Sequence, residues 1–156
     1  MKTNWKKLLI CIAIPLAVGG LSALVTGNTM ERFQELVKPP LSPPGWLFPV
    51  VWTILYALMG WASYRILESD APDEEKKKAL ILYGIQLLLN FIWSPVFFRW
   101  EMRLTAFFIL LALWLAIYLT MRKFATIDET AADLLLPYIL WVTFAAYLNL
   151  GIFLLN

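Results

Sequence analysis

The sequence predicts an all-α integral membrane protein: a five-transmembrane-helix bundle with a short lid helix in the first loop. The first observation behind this is where the charges sit. The 13 Lys and Arg and 11 Asp and Glu all fall in the short clusters Lys2–Lys7, Glu31–Lys38, Arg65–Lys78, Arg99–Arg103 and Arg122–Asp133. Between and after them lie five charge-free runs, Leu8–Met30, Pro39–Tyr64, Ala79–Phe98, Leu104–Met121 and Leu134–Asn156, each reaching the ~18 residues that span hydrocarbon. The second is period. The runs lack the polar stripe of a soluble bundle helix and the ~10-residue alternation of a membrane β-barrel. Lipid offers the backbone no other partner, so helices remain. Composition agrees: 61% of residues are hydrophobic and 15% charged, against about 25% charged in a soluble domain. At 156 residues the chain has room for one domain, residues 1–156.

The first span is read at Trp5–Thr26. Lys2, Lys6 and Lys7 precede it, and Ala17-Val18-Gly19 resembles a small-residue cleavage site, but the apolar run continues to Met30. That length favours a retained helix over a signal peptide. Lone Cys11 cannot form an internal disulfide. Met30, Phe33 and Leu36/Val37 then recur at helical spacing, predicting a short amphipathic helix across one mouth of the bundle, a candidate lid. Lys38-Pro39-Pro40 and Ser42-Pro43-Pro44 read as extended chain. The second span is read at Pro44–Leu67, with Pro44 near its first turn, where a missing N–H is harmless. The acidic-then-basic Asp70–Lys78 segment is a solvated loop. The third, fourth and fifth spans follow at Ala79–Phe98, Arg103–Phe124 and Ala132–Leu154. Pro49, Pro95 and Pro137 fall inside these limits, where each removes a backbone hydrogen bond and loosens the helix. Such prolines are either tolerated, as membrane helices do, or used to widen a cavity.

Lys and Arg set the expected orientation. The N-terminus and the second and fourth loops share one side and carry nine: Lys2, Lys6, Lys7, Arg65, Lys76, Lys77, Lys78, Arg122 and Lys123. The other side carries four: Arg32, Lys38, Arg99 and Arg103. Inserted through a bacterial plasma membrane, the chain is expected to keep its N-terminus in the cytoplasm.

Missing residues narrow the chemistry. The chain has no histidine and one cysteine, which excludes His-ligated zinc or haem iron, thiolate clusters and His-based catalytic triads. Away from the end turns no charged residue lies inside a span, whereas ion-coupled transporters usually carry intramembrane carboxylates or bases. A net charge of +2 spread over loops argues against nucleic-acid binding. No cofactor or metal is required by any motif.

The polar and aromatic residues of the spans fall on faces. Gln86, Asn90, Trp93 and Phe97 form one stripe of the third helix; Trp141, Ala145 and Asn149 step by four on the fifth; Phe48, Trp52 and Tyr56 do so on the second. Amides facing hydrocarbon are unsatisfied, so these faces meet inside the bundle. There the amides either cross-link helices or, with the deeper tryptophans Trp52 and Trp141, wall an aromatic pocket. Trp5, Trp46 and Trp100 lie near span ends, as interfacial tryptophans do; Trp61 and Trp114 read as packing or lipid-facing.

Three blocks, PPGWLFPVVWTILYALMG at 43–60, QLLLNFIWSPVFF at 86–98 and LLLPYILWVTFAAYLN at 134–149, resemble the TspO/MBR family of tryptophan-rich sensory and translocator proteins. With the five-span plan, the resemblance covers nearly the whole chain. It implies a five-helix bundle whose pocket opens toward the first loop and binds porphyrins, with protoporphyrin IX or haem as ligand, and other hydrophobic molecules. It implies a ligand-binding set of Trp52, Tyr56, Asn90, Trp93, Phe97, Trp141, Ala145, Leu148 and Asn149, and a lid and mouth formed by Arg32, Phe33, Lys38, Leu41 and Trp46. The resemblance also suggests a homodimer, for which Ala13/Ala17 and Gly19/Ala23 give the first helix small residues four apart. This chain departs from the family pattern at Arg32-Phe33, where Trp-Tyr is common, and at Leu41, where a tryptophan is common. It also lacks the Tyr and basic residue that follow Leu-Asn in the animal cholesterol motif.

Three functions compete on these grounds. The first is a membrane receptor or sensor binding tetrapyrroles. The second is a light- or oxygen-dependent porphyrin-degrading enzyme, for which the family resemblance makes Trp52 and Trp141 the catalytic candidates. The third is a passive carrier of porphyrin or other hydrophobic molecules. Receptor or sensor leads, on the buried tryptophan pair beneath a basic, movable first loop. In the enzymatic reading tryptophan would be the redox-active or quenching partner, since no general acid–base pair exists within the spans.

Overall fold

The computed structural model describes residues 2–156, which are 80% helical and contain no strand. In order, the elements are α1 (Trp5–Thr26), α2 (Met30–Gln34), α3 (Leu47–Leu67), α4 (Asp73–Ser94), a π-type turn at Pro95–Arg99, α5 (Arg103–Ala125), α6 (Glu129–Leu134) and α7 (Leu136–Leu155). Five units are long and apolar enough to cross a bilayer: α1, α3, α4 with the π turn, α5, and α6 with α7.

Helix α1 has the expected limits. Asn4 caps it, its side chain accepting from the Lys7 N–H at 3.1 Å. Gly27 ends it with φ of 74°, a left-handed value that favours glycine. Helix α4, by contrast, starts at Asp73, well ahead of Ala79. Pro72 precedes it, and Asp73, Glu74 and Glu75 occupy its first turn, where negative charge suits the helix dipole. Most of the expected loop is therefore helix standing out of the hydrocarbon.

The prolines do not act alike. Pro49 lies in the first turn of α3, where its N–H has no helical acceptor to lose. Pro137 coincides with a loosened span, which breaks at Leu135 between α6 and α7. Pro95 does change its helix: α4 gives way to a π turn closed by the Trp100 N–H on the Pro95 carbonyl at 3.0 Å. Pro15, inside α1 and buried, is the interior proline that span-by-span reading passed over. It leaves the Cys11 carbonyl without its helical donor, and that carbonyl lies against Gly60. A Cβ on residue 60 would sit 2.5 Å from it and 2.4 Å from Ile12 Cα. Gly60 thus brings the α1 and α3 backbones into contact.

In the bundle α1 packs on α3 and α4, α4 on α5, and α5 on α6 and α7, while α3 also meets α4 and α6. Between α3 and α7 aromatic side chains fill the space: Phe48 meets Trp141 with ring centroids 5.9 Å apart, and Trp52 meets Tyr138 at 6.2 Å. Polar ties close the N-terminal side. Arg65 donates to Asp128 at 2.9 Å, Lys7 pairs with Glu68 at 2.6 Å, and Lys123 pairs with Glu75. The opposite side carries α2 and the Pro39–Pro44 segment, which is not extended throughout as expected but turns at Pro40–Leu41, where Ser42 Oγ donates to the Pro39 carbonyl at 2.7 Å. Tyr147 Oη donates to the Pro40 carbonyl at 2.7 Å, and Asn156 exchanges two hydrogen bonds with the Val37 backbone. A Cβ on Gly151 would meet Pro39 Cγ at 2.6 Å, so the glycine lets this segment lie flat on α7.

Candidate functional site: an aromatic cavity under the first loop

A cavity of about 450 Å³ lies between α1, α3 and α4, within the usual range for a small-molecule site. Phe48, Trp52 and Tyr56 line it from α3, and Asn90, Trp93 and Ser94 from α4. The four-residue step along α3 puts its three rings on one face. Trp52 lies nearly parallel to Tyr56, centroids 5.6 Å apart, and Trp93 sits 6.4 Å from Trp52.

The floor is polar, and its side-chain bonds run as a chain. Tyr56 donates to Asn90 Oδ1 at 2.8 Å; Asn90 Nδ2 donates to Tyr138 Oη at 2.7 Å; Tyr138 donates to Gln86 Oε1 at 2.7 Å. All four residues are buried. Helices α3, α4 and α7 are joined, and the amides find inside the bundle the partners that lipid cannot supply. A second link ties Trp93 Nε1 to Asn149 Oδ1 at 3.0 Å, while Asn149 Nδ2 donates to the Arg103 carbonyl at 2.8 Å.

The fourth wall comes from α1, which the sequence reading did not place in the site. Gly19, Gly20, Ala23 and Thr26 line it. A Cβ on Gly19 would stand 2.3 Å from the Tyr56 ring, so that glycine lets the ring reach α1. Ser22 donates to the Phe91 carbonyl at 2.9 Å, and Thr26 lies 3.0 Å from Ser94 Oγ. The available signal was Ser22 and Thr26 four apart on an otherwise apolar helix. Gly20 and Ala23 of α1 and Pro49 and Thr53 of α3 line the cavity and are also exposed. The cavity therefore opens sideways between α1 and α3, at a depth where the surroundings are lipid.

Toward the aqueous side α2 lies beside it, with Met30 in the lining, and the exposed Gly27 and Asn28 also border it. Phe33 is buried, 5.9 Å from Phe48, 5.2 Å from Phe98 and 6.2 Å from Phe97. The Lys38 ammonium lies 4.9 Å from the Phe33 ring and donates to the Gln34 and Leu36 carbonyls. Arg32 is exposed and pairs with Glu101 at 3.6 Å. Leu41, at φ 72° and 85% exposed, and Trp46, 68% exposed, stand on the surface away from the cavity.

Of the nine expected ligand-binding residues, Trp52, Tyr56, Asn90 and Trp93 line the cavity. Phe97, Ala145, Leu148 and Asn149 are buried outside its lining, and Trp141 is half-buried beyond Phe48. The two groups touch through Trp93, which donates to Asn149 and stacks on Phe97 at 5.4 Å, while Trp141 meets the cavity lining through Phe48. Trp141 Nε1 is buried without an acceptor. Among the described residues no group of three His, Cys, Asp or Glu side chains lies close enough to hold a metal ion.

The profile of the TspO/MBR family matches residues 11–155. The chain is 41% identical to the tryptophan-rich protein TspO of Chlorobaculum tepidum, over 96% of this chain and 95% of that protein. It is 35% identical to the tryptophan-rich sensory protein of Cereibacter sphaeroides, over 100% and 95%. Identity to the translocator protein of Bos taurus is 36%, over 87% of this chain and 82% of that one.

Proposed function

The chain belongs to the TspO/MBR family of integral, multi-pass membrane proteins, and from that premise we propose that it is a membrane receptor or sensor that binds tetrapyrroles, protoporphyrin IX or haem, in its aromatic cavity. Family membership supports the sensor or receptor role. The observation that carries the ligand class is the wall of Trp52, Tyr56 and Trp93 around a space with one polar floor. Flat apolar rings stack on such a wall, and no imidazole is needed, because the ligand is held by faces and edges. Its carboxylates meet basic groups at the mouth, where the exposed Arg32–Glu101 pair is weak enough to exchange partners. The sideways opening suits a ligand or other hydrophobic molecule dissolved in the bilayer. A homodimer in a bacterial plasma membrane, N-terminus in the cytoplasm, completes the reading; labelling of Glu35→Cys by a membrane-impermeant maleimide from outside intact cells checks the orientation.

The ligand is tested by titrating purified protein with protoporphyrin IX in the dark and following tryptophan fluorescence. Saturable quenching is expected, with the dissociation constant raised about three- to tenfold in Trp52→Phe, the equivalent of one lost aromatic stacking contact. No quenching, or an unchanged constant in the variant, removes the support for a tetrapyrrole here.

A further inference from the structure

We propose that the lid end of the α5–α7 pair binds one anionic phospholipid, its phosphodiester held by Arg103 and an acyl chain lying along α5. The site shares no lining residue with the aromatic cavity and does not depend on what that cavity binds. It is a second cavity, of about 430 Å³, between residues 101–105 at the entry to α5 and Phe153 and Asn156 at the end of α7. Arg103 brings the charge. Its side chain is only 17% exposed, and Nε is shut away from water without an acceptor. Glu101 stands 3.7 Å from Arg103 Nη2, outside hydrogen-bond reach, and is shared with Arg32 at 3.6 Å. Two guanidinium groups thus divide one carboxylate, and one positive charge is left over. The Phe97 ring, 5.9 Å from the guanidinium carbon, returns only part of what a cation loses on leaving water.

A single negative charge would complete this site, and a phosphodiester carries one. Its oxygens accept the paired N–H groups of a guanidinium, and the Thr105 hydroxyl stands on the same wall. Depth selects a lipid over a dissolved anion. Trp100, 54% exposed beside the cavity, marks the headgroup level, where interfacial tryptophans gather. Below it Leu104, Phe108, Leu111 and Leu115 recur at helical spacing and all four are exposed, an apolar stripe of α5 along which a chain lies. Basic pockets between membrane helices bind head groups in this way. A choline headgroup would bring a positive charge back beside Arg32 and Arg103, so a net anionic lipid is preferred.

The probe is dioleoyl phosphatidylglycerol, added to the full chain in a neutral detergent, with bound lipid counted by native mass spectrometry. One lipid per chain is expected, held about tenfold more tightly than dioleoyl phosphatidylcholine, the size of one charge-assisted contact. Arg103→Gln is expected to abolish the preference. So is Thr105→Glu, which sets a carboxylate at an exposed position of the cavity wall and leaves Arg103 in place. Arg99→Gln removes the same charge at the same end of the bundle and is expected to leave the preference unchanged. Equal retention of the two lipids overturns the site, and so do equal losses in Arg99→Gln and Arg103→Gln, which would make Arg103 an ordinary interfacial charge. Displacement of the lipid by inorganic phosphate would leave an anion site without a lipid. Displacement by protoporphyrin IX would assign Arg103 to that ligand's carboxylates; either result overturns the proposal.

Discussion

Asn90 accepts from Tyr56 of α3 and donates to Tyr138 of α7, so two of its neighbours depend on it. Asn90→Leu strands the Tyr56 hydroxyl in an apolar interior, and the expected loss is about 1–3 kcal/mol, toward the lower end because membrane-unfolded states find substitute partners. Gln86→Leu removes only the terminal acceptor of the chain and should cost clearly less. Unfolding in detergent compares them; equal losses would contradict a chain running through Asn90. At this scale much was legible. Trp52, Tyr56, Asn90 and Trp93 share helical faces that an amide or indole can only turn inward, and the four line one cavity. The α1 contribution was not legible, because Gly19, Gly20 and Ala23 act through what they lack, and a missing side chain leaves no polar signal. Nor does periodicity reveal that Trp141 lies outside the cavity lining, beyond Phe48.

At the scale of elements, Asp128 shows why charges at helix ends blurred the boundaries. Its carboxylate caps α6, accepting from the Thr130 N–H at 2.9 Å, and also holds Arg65 of α3. Asp128→Asn keeps a capping oxygen and loses the ion pair, whereas Asp128→Ala loses both. The alanine variant is expected to be the less stable of the two by about 1 kcal/mol, a typical cap; equal stability in thermal melts would show that the cap contributes nothing. A search for charge-free runs stops at such residues. It therefore began the last run at Leu134 and the third at Ala79, although α6 and α4 start at Glu129 and Asp73. Where the limits were set by local chemistry, as at Asn4 and Gly27 of α1, sequence and structure agree. The lid helix was foreseen from Met30, Phe33 and Leu36/Val37, and α2 is correspondingly short, Met30–Gln34, with Phe33 as its buried anchor.

For the whole molecule, the parts divide by membrane side. Ion pairs of α1, α3, α4, α5 and the α6 cap brace the N-terminal end. The opposite end carries an apolar plug and a loop sewn to α7 by Tyr147 and Asn156. A bundle rigid at one end and plugged at the other suits a ligand site that changes shape near its mouth. The central claim is that a tetrapyrrole lodges among Trp52, Tyr56 and Trp93 within the bilayer. Ferric haem, whose iron is paramagnetic, tests the location most directly. Added in saturating amount to the 15N-tryptophan protein in nanodiscs, it should broaden the Trp52 and Trp93 indole resonances beyond detection and leave those of Trp5 and Trp61 sharp. Loss of the interfacial Trp5 or Trp46 signals with Trp52 and Trp93 intact would instead put the ligand on the membrane surface and contradict the claim.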